Sequence, residues 1–273
     1  MRKGLMKLAR DWLPPVALRR LGRMIREGNS FKGEYNSWQE AEAQCLGYDT
    51  DEIISKVLTA SLKVKNGEAA YERDSVNFDH IEYSWPVMSG IMCAAANNSG
   101  RLNVLDFGGS LGSSYYQNRS LLLALPYVRW NIVEQAHYCK AGKTHIQDQT
   151  LRFYETIDDC LVENKPNVIL LSSVLQYLSK PREILSLLLN VDADVIVIDR
   201  TIVNYSLTDR IYVQDVPSSI YSASYPCWSL SESSLLEMAL KNYQLIDSFY
   251  CPGFSLLKYI NSEFKGYFFK RVE

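Results

Sequence analysis

At 273 residues, 47% of them hydrophobic and 22% charged, the chain has apolar material for one large globular domain or for a domain with an extension. A formal charge of −2 gives no overall electrostatic case for nucleic-acid binding. Six scattered cysteines (Cys45, Cys93, Cys139, Cys160, Cys227 and Cys251) form no C-x-x-C pair and have only three histidines for company, which points to reduced thiols in a cytoplasmic protein and against a disulfide framework or a metal site.

The charge is unevenly spread. Residues 1–32 hold nine Lys/Arg against Asp11 and Glu27, a charge of +7 that leaves −9 on the remainder. Leu5, Leu8, Trp12 and Leu13 supply apolar partners before Pro14-Pro15 interrupts the pattern. A basic amphipathic stretch of this kind suits peripheral contact with an anionic membrane face; a solvated terminus packed on its own domain is the other reading. No continuous apolar run marks a secretory leader, and none approaches the ~20 residues of a membrane span.

Between residues 36 and 66, Trp38, Ala41, Cys45, Ile53, Ile54, Val57, Leu58 and Leu62 recur at steps of three and four. This predicts helices capped at Asn36-Ser37 and at Thr50-Asp51. Another helix is expected from Ser84 or Pro86 to Ala96. Tyr71, Arg73 and Asp74 lie between these helices in a polar segment that is either a wall of the site or a surface loop. We take residues 1–98 as the basic segment plus a helical extension, and 99–273 as a second domain.

From residue 102 onward the chain alternates strand and helix. Strands are expected near 102–106, 130–134, 151–154, 167–171, 194–198, 243–249 and 265–270, giving a seven-stranded, mostly parallel, Rossmann-like α/β sheet with helices on both faces. The first of them, Asn103-Val-Leu-Asp-Phe-Gly-Gly-Ser-Leu-Gly112, ends in a carboxylate and turns through glycines towards a helix start. Glycine reaches backbone conformations that a Cβ forbids and lets a ligand approach the main chain, and the N–H groups of the following helix are open to polar ligand atoms. The dinucleotide spacing G-x-G-x-x-G fails, because Ser110 and Ser113 stand at its second and third glycines. The spacing D-x-G-x-G-x-G fits better, with Asp106, Gly108 and Gly112 in place, Gly109 between them and Ser110 at the middle glycine. That pattern resembles the first motif of class I S-adenosylmethionine-dependent methyltransferases.

The second strand ends at Glu134, 26 positions after Gly108. This is close to the interval of ~20 residues expected for an acid that accepts from both ribose hydroxyls. A third segment, Val168-Ile-Leu-Leu-Ser-Ser173, runs as a buried strand into Ser172 and Ser173, which the resemblance places beside cofactor and substrate. Many relatives carry an acid just before this strand, where this chain has Asn167. A fifth strand ends at Asp199, followed by Arg200-Thr201. The connection Tyr205 to Ser229, with Tyr212, Tyr221, Tyr225, Pro226 and Trp228, offers rings and hydroxyls for stacking on a sugar or a flat acceptor; a packed connecting loop is the alternative.

Leu105-Asp-Phe-Gly-Gly-Ser-Leu-Gly112, Trp130-Asn-Ile-Val-Glu-Gln135, Ser173-Val-Leu-Gln-Tyr-Leu178 and Ile198-Asp-Arg-Thr201 together resemble a little-characterised bacterial methyltransferase family associated with surface-polysaccharide biosynthesis. Phe31-Lys-Gly-Glu-Tyr-Asn-Ser-Trp38 and Tyr71-Glu-Arg-Asp-Ser-Val-Asn-Phe78 are similar to its amino-terminal signatures, so the resemblance spans nearly the whole chain. It implies a methyltransferase sheet, S-adenosylmethionine as cofactor and a small-molecule or saccharide acceptor. A hydroxyl acceptor benefits from a general base. Asp199 is the first candidate and Tyr177 the second; a salt bridge from Asp199 to Arg200 competes with the first assignment. His137 and His145 read as surface residues. A catalytically silent binding scaffold and an NAD-dependent oxidoreductase are the competing classes.

Overall fold

The computed structural model describes residues 30–45, 50–73, 75–216, 223–251 and 260–272. The basic amino-terminal segment to residue 29, Asp74, Tyr221 and the capping side chains of Thr50 and Asp51 lie outside the described residues.

The chain runs β1 (Ser30–Tyr35), α1 (Trp38–Glu42), α2 (Thr50–Lys65), a short hairpin β2 (Tyr71–Arg73) and β3 (Val76–Phe78), and α3 (Trp85–Asn97). There follow β4 (Arg101–Phe107), α4 (Ser113–Leu122), β5 (Tyr127–Val133), α5 (Ala136–Ala141), β6 (Leu151–Tyr154), α6 (Ile157–Glu163) and β7 (Val168–Ser172). A single 3-10 turn, Leu175–Tyr177, precedes α7 (Pro181–Leu189) and β8 (Val195–Asn204). The last elements are β9 (Arg210–Asp215), β10 (Ser224–Ser231), α8 (Glu232–Ala239), β11 (Tyr243–Tyr250) and β12 (Ser262–Arg271).

All seven expected strands are present. They lie in the order β6-β5-β4-β7-β8-β12-β11, parallel from β6 to β8, with β12 antiparallel to both β8 and β11. This is the seven-stranded, mostly parallel, Rossmann-like sheet that the sequence predicts. Successive side chains on its strands alternate between two cores. Val104, Ile132, Leu170 and Val197 face the layer formed by α2 to α5, whereas Leu105, Val133, Ile169, Leu171 and Ile198 face α6 to α8. Both faces are covered, so the central strands read as unbroken apolar runs rather than as alternating ones.

Three further strands extend this sheet. β10 pairs β8 in parallel at Leu230↔Val203 and Ser231↔Asn204, β9 pairs β10, and β1 pairs β9. β12 covers one edge of β8 from Val195 to Asn204, so β7 and β10 must share the other edge. β7 takes its first half and β10 takes the part beyond the end of β7. The antiparallel subsheet β1-β9-β10 therefore stands past the carboxyl end of β7, and the segment Tyr205 to Ser229 supplies two of its strands. β1 comes from before residue 98, which ties the region of the expected extension into the main sheet. Trp38 of α1 stacks on Trp228 of β10 with ring centroids 6.1 Å apart, and Trp228 Nε1 donates to the carbonyl of Leu178 at 2.9 Å. Ser37 caps α1 by accepting from the Glu40 amide at 3.2 Å. No helix among the described residues is long and apolar enough to cross a membrane.

Candidate functional site

The turn after β4 lies where ligands bind in open α/β sheets, at the carboxyl edge. Gly108 has φ +72° and donates its N–H to the Val133 carbonyl at 2.9 Å, pinning the turn to the end of β5. A Cβ on Gly108 would strike Val174, and one on Gly109 would lie 2.6 Å from the Asp106 carboxylate, so the turn needs glycine at both positions. Ser110 adopts φ +52° where the motif has glycine, and Gly112 with φ +96° precedes α4.

Asp106 and Glu134 flank this turn, close enough for the charge of one to act on the other. Asp106 is 1% exposed; its Oδ2 accepts from Trp130 Nε1 at 2.9 Å, while Oδ1 is buried without a hydrogen-bond partner. Burial pushes its carboxyl up to about 7; the Trp130 N–H and the charge of Arg200 oppose this, and the negative charge of Glu134 adds to it. Glu134 accepts from the backbone N–H of Gln135 at 2.7 Å and from that of Ser110, and burial raises its pKa against those two donors. The acid that ends β5 is thus fastened to the glycine turn.

A third carboxylate reaches the same turn from the hairpin. Glu72, 3% exposed, accepts from the hydroxyl of Ser113, the first residue of α4. Sequence reasoning passed over Glu72, although its neighbours Tyr71 and Arg73 had been singled out.

At the end of β7, Ser172 Oγ donates to Asp199 Oδ2 at 2.7 Å and accepts from Arg200 Nη2 at 2.7 Å. Arg200 Nε lies 3.1 Å from Asp199 Oδ2, and the Cys251 thiol faces Asp199 Oδ1 at 3.7 Å. Residues adjacent in a strand normally point to opposite faces. Here Arg200 has φ +51°, and the ladder to β12 shifts so that Asp199 and Arg200 together oppose the single residue Gly266. This bulge turns the guanidinium back onto its neighbour. Ser173, with φ +58°, donates its N–H to the Asp199 carbonyl at 2.9 Å, and buried Gln176 donates to Ser173 Oγ at 3.3 Å and to the Arg200 carbonyl at 3.1 Å. Ser110, Ser173 and Arg200 are all non-glycine residues in the left-handed region at the carboxyl edge, where such strain tends to collect at functional sites.

Tyr177 reaches the subsheet. Its hydroxyl donates to Gln214 Oε1 at 3.2 Å, Gln214 Nε2 donates to Tyr225 Oη at 3.4 Å, and the two tyrosine rings meet edge-on at 5.1 Å. Gln214 and Tyr225 are cross-strand partners on β9 and β10, so this chain of polar groups joins the turn after β7 to the subsheet. Asn167 sits at the opposite end of β7, where it accepts from the Asn103 N–H and donates to the Arg101 carbonyl; its side chain laces β4 to β7. His145 is exposed, and His137 leans on Tyr138. A separate groove of about 700 Å³ lies along β6 and α6, lined by Arg129, Arg152, Glu155 and Asp159 among others, and does not include the glycine turn.

No family model and no curated protein matches the chain. Solved structures similar in fold include the N-terminal domain of EvdMO1 in the presence of SAH and D-fucose, at 13% identity and a TM-score of 0.48, covering 83% of this chain and 98% of that one. Another is the 1,6-didemethyltoxoflavin-N1-methyltransferase of Burkholderia thailandensis, at 12% identity and a TM-score of 0.43, covering 91% and 98%. A third is magnesium protoporphyrin IX methyltransferase from Synechocystis PCC 6803 with bound SAM, at 10% identity and a TM-score of 0.46, covering 83% and 99%.

Proposed function

We propose that this protein is a methyltransferase that holds S-adenosylmethionine over the turn Asp106–Gly112 and passes its methyl group to a small hydroxyl-bearing acceptor of the saccharide class. The sequence resemblance adds surface-polysaccharide biosynthesis, on the cytoplasmic side, as the setting. The observation that carries the cofactor assignment is the charge at the turn. Asp106, Glu134 and Glu72 surround it from three strands, and the cation acting on Asp106, Arg200, is itself paired with Asp199. A carboxylate already lies at the start of α4, the position a pyrophosphate would need. The environment therefore favours a cationic nucleoside and opposes a dinucleotide. The orphaned Asp106 Oδ1 fits the same ligand.

S-adenosylmethionine, when bound, supplies an electrophilic methyl on a sulfonium leaving group. Glu134 accepts from the ribose hydroxyls, the backbone of Gly108, Gly109, Ser110 and Gly112 lines the cofactor, and Ser172 and Ser173 form the wall between cofactor and acceptor. The chain's main task is alignment, which can contribute several kcal/mol. Tyr177 is the acceptor-side group, because its Oη is held by Gln214 beneath the aromatic subsheet. Asp199 holds Arg200 and Ser172 in place. Its Oδ2 already accepts from both of them, so proton abstraction there would have to break that network.

Calorimetric titration tests the reading. Wild-type protein should bind S-adenosylhomocysteine and S-adenosylmethionine but not NAD, and Glu134→Ala should weaken both nucleosides by about tenfold, the loss of one or two hydrogen bonds to a charged acceptor. NAD binding without nucleoside binding would revive the oxidoreductase. Nucleoside binding with no turnover on any hydroxyl acceptor would favour the silent scaffold.

A further inference from the structure

β6 ends the ten-stranded sheet, and among the described residues no strand pairs with its outer side. In its ladder to β5, the carbonyls of Thr150 and Tyr154 accept from the Trp130 and Glu134 amides, so the even-numbered residues bond β5 and the odd-numbered ones turn outward. Leu151 is closed off by its own loop: its N–H donates to Asp148 Oδ1 at 2.8 Å, and its carbonyl accepts from the Asp148 N–H at 3.1 Å. The main chain of Phe153 is thereby left facing the groove that runs along this edge. An open strand edge is a template for another chain.

The charges of the groove are sorted by position. Arg129 and Arg152 stand in the first halves of β5 and β6, and Asn131↔Arg152 pairing puts both on the face of the sheet that α6 covers. Asp159 lies in the first turn of α6, at the opposite end of the groove. On the other face, Lys143 lies in the turn Gly142–Ile146 that leads to the start of β6, whereas Glu155 follows its end; both charges act on the Cys139 thiol of α5. Glu163 is engaged by the Tyr154 hydroxyl at 2.9 Å. Arg152, Lys143, Glu155 and Asp159 line one groove, yet among the described residues none of the four makes an ion pair. Val162, 86% exposed, adds an apolar contact at the rim.

Such an edge is complementary to itself. A two-fold axis normal to the sheet at Phe153 sets β6 antiparallel to the same strand of a second copy, keeps each face of the sheet with its like and reverses the ends. Arg129 and Arg152 then look across at Asp159 of the second copy, and Lys143 looks across at Glu155; each pairing occurs twice. A small ligand of mixed charge would leave the Phe153 main chain unexplained. We propose that this edge is a homodimer interface, in which Phe153 exchanges two main-chain hydrogen bonds with its counterpart and the cationic end of each groove meets the acidic end of the other. The sheet then runs unbroken from one copy into the next. This inference is independent of the cofactor reading.

Sedimentation velocity on the full chain at low ionic strength tests it. Wild type should be dimeric, with a dissociation constant that rises as salt is added, because the ion pairs are exposed. Arg152→Glu and Asp159→Lys should each weaken the dimer by about tenfold or more, since a reversal is felt twice across the axis, and the two together should recover most of the loss. Lys143→Glu with Glu155→Lys repeats the exchange on the other face and replaces the first pair if either member fails to fold. A chain that stays monomeric up to ~100 μM would overturn the interface, because even a weak dimer assembles at that concentration. A dimer indifferent to the single reversals, or losses that neither combined exchange recovers, would overturn it equally.

Discussion

Asp106 gives the sharpest quantitative handle on the site. Without ligand its carboxyl titrates at about 7 in the folded chain, against 3.8 ordinarily, because it is buried beside Glu134 with a single donor from Trp130. The folded state therefore binds the proton more tightly than the unfolded chain. The stabilisation this proton provides is fully present below pH ~4 and is lost as pH rises through about 7. At 1.36 kcal/mol per pH unit, the ceiling on that loss is about 4 kcal/mol, and relaxation around the carboxylate should reduce it to about 2–3 kcal/mol. Asp106→Asn keeps an oxygen for the Trp130 N–H but cannot ionise. Urea unfolding of the ligand-free proteins at pH 5, 6, 7 and 8 should show wild type losing about 1–2 kcal/mol to the variant, most of it between pH 5 and 7 with little change above, because part of the loss has already occurred below pH 5. A cationic ligand favours the ionised carboxylate, so wild-type affinity for S-adenosylmethionine should rise over the same interval, and the variant should lose that pH dependence. Parallel unfolding curves for the two proteins at every pH would refute the argument, since they would mean that Asp106 is already ionised, or already solvated, in the folded protein.

Two further outcomes test the scaffold. Arg182 grips Asp209 through Nε at 3.0 Å and Nη2 at 2.5 Å, while the Ser231 N–H donates to the same carboxylate at 2.7 Å, so the pair locks the entry to β9 onto the end of β10. Arg182→Ala should cost about 2–3 kcal/mol in urea unfolding, because it strands a largely buried carboxylate, and Arg182→Lys should restore little of this without the two-pronged fork. Gly90 of α3 packs directly on Val197 of β8, so Gly90→Ala should destabilise by about 1–3 kcal/mol. A buried, χ1-stiff valine has nowhere to go, and the ~1 kcal/mol gained in helix propensity does not offset the clash; unchanged stability would show that α3 can lift off the sheet.

What the sequence disclosed and what it concealed follow from the same physics. Val168–Leu171 and Val195–Ile198 announce themselves because both faces of their strands are covered, leaving unbroken apolar runs with polar residues at the carboxyl ends. β1 does not, since most of its side chains are exposed and carry no alternation. β10 contains Pro226, which argues against a strand, and its tyrosines and serines suit a loop equally well; it is a strand because it is sandwiched between β9 and the far end of β8. The glycine turn and the acid at Glu134 were readable from spacing, since a turn and a strand end are local features. Glu72 was not, for its place at the start of α4 depends on the packing of a hairpin about 40 residues upstream in sequence. The most instructive case is Asp199 beside Arg200. Adjacency in a strand argues against an ion pair, since neighbouring side chains diverge. Only the bulge opposite Gly266, with Arg200 in the left-handed region, lets the two meet. Gly266 is what makes room for it, because a Cβ there would press on Phe249 and lie 2.9 Å from the Ile198 carbonyl. The arrangement of Asp199, Arg200 and Ser172 is therefore set from β12, more than 60 residues downstream: the fifth strand offered the Asp199–Arg200 pair as one reading, but not the bulge that lets it form.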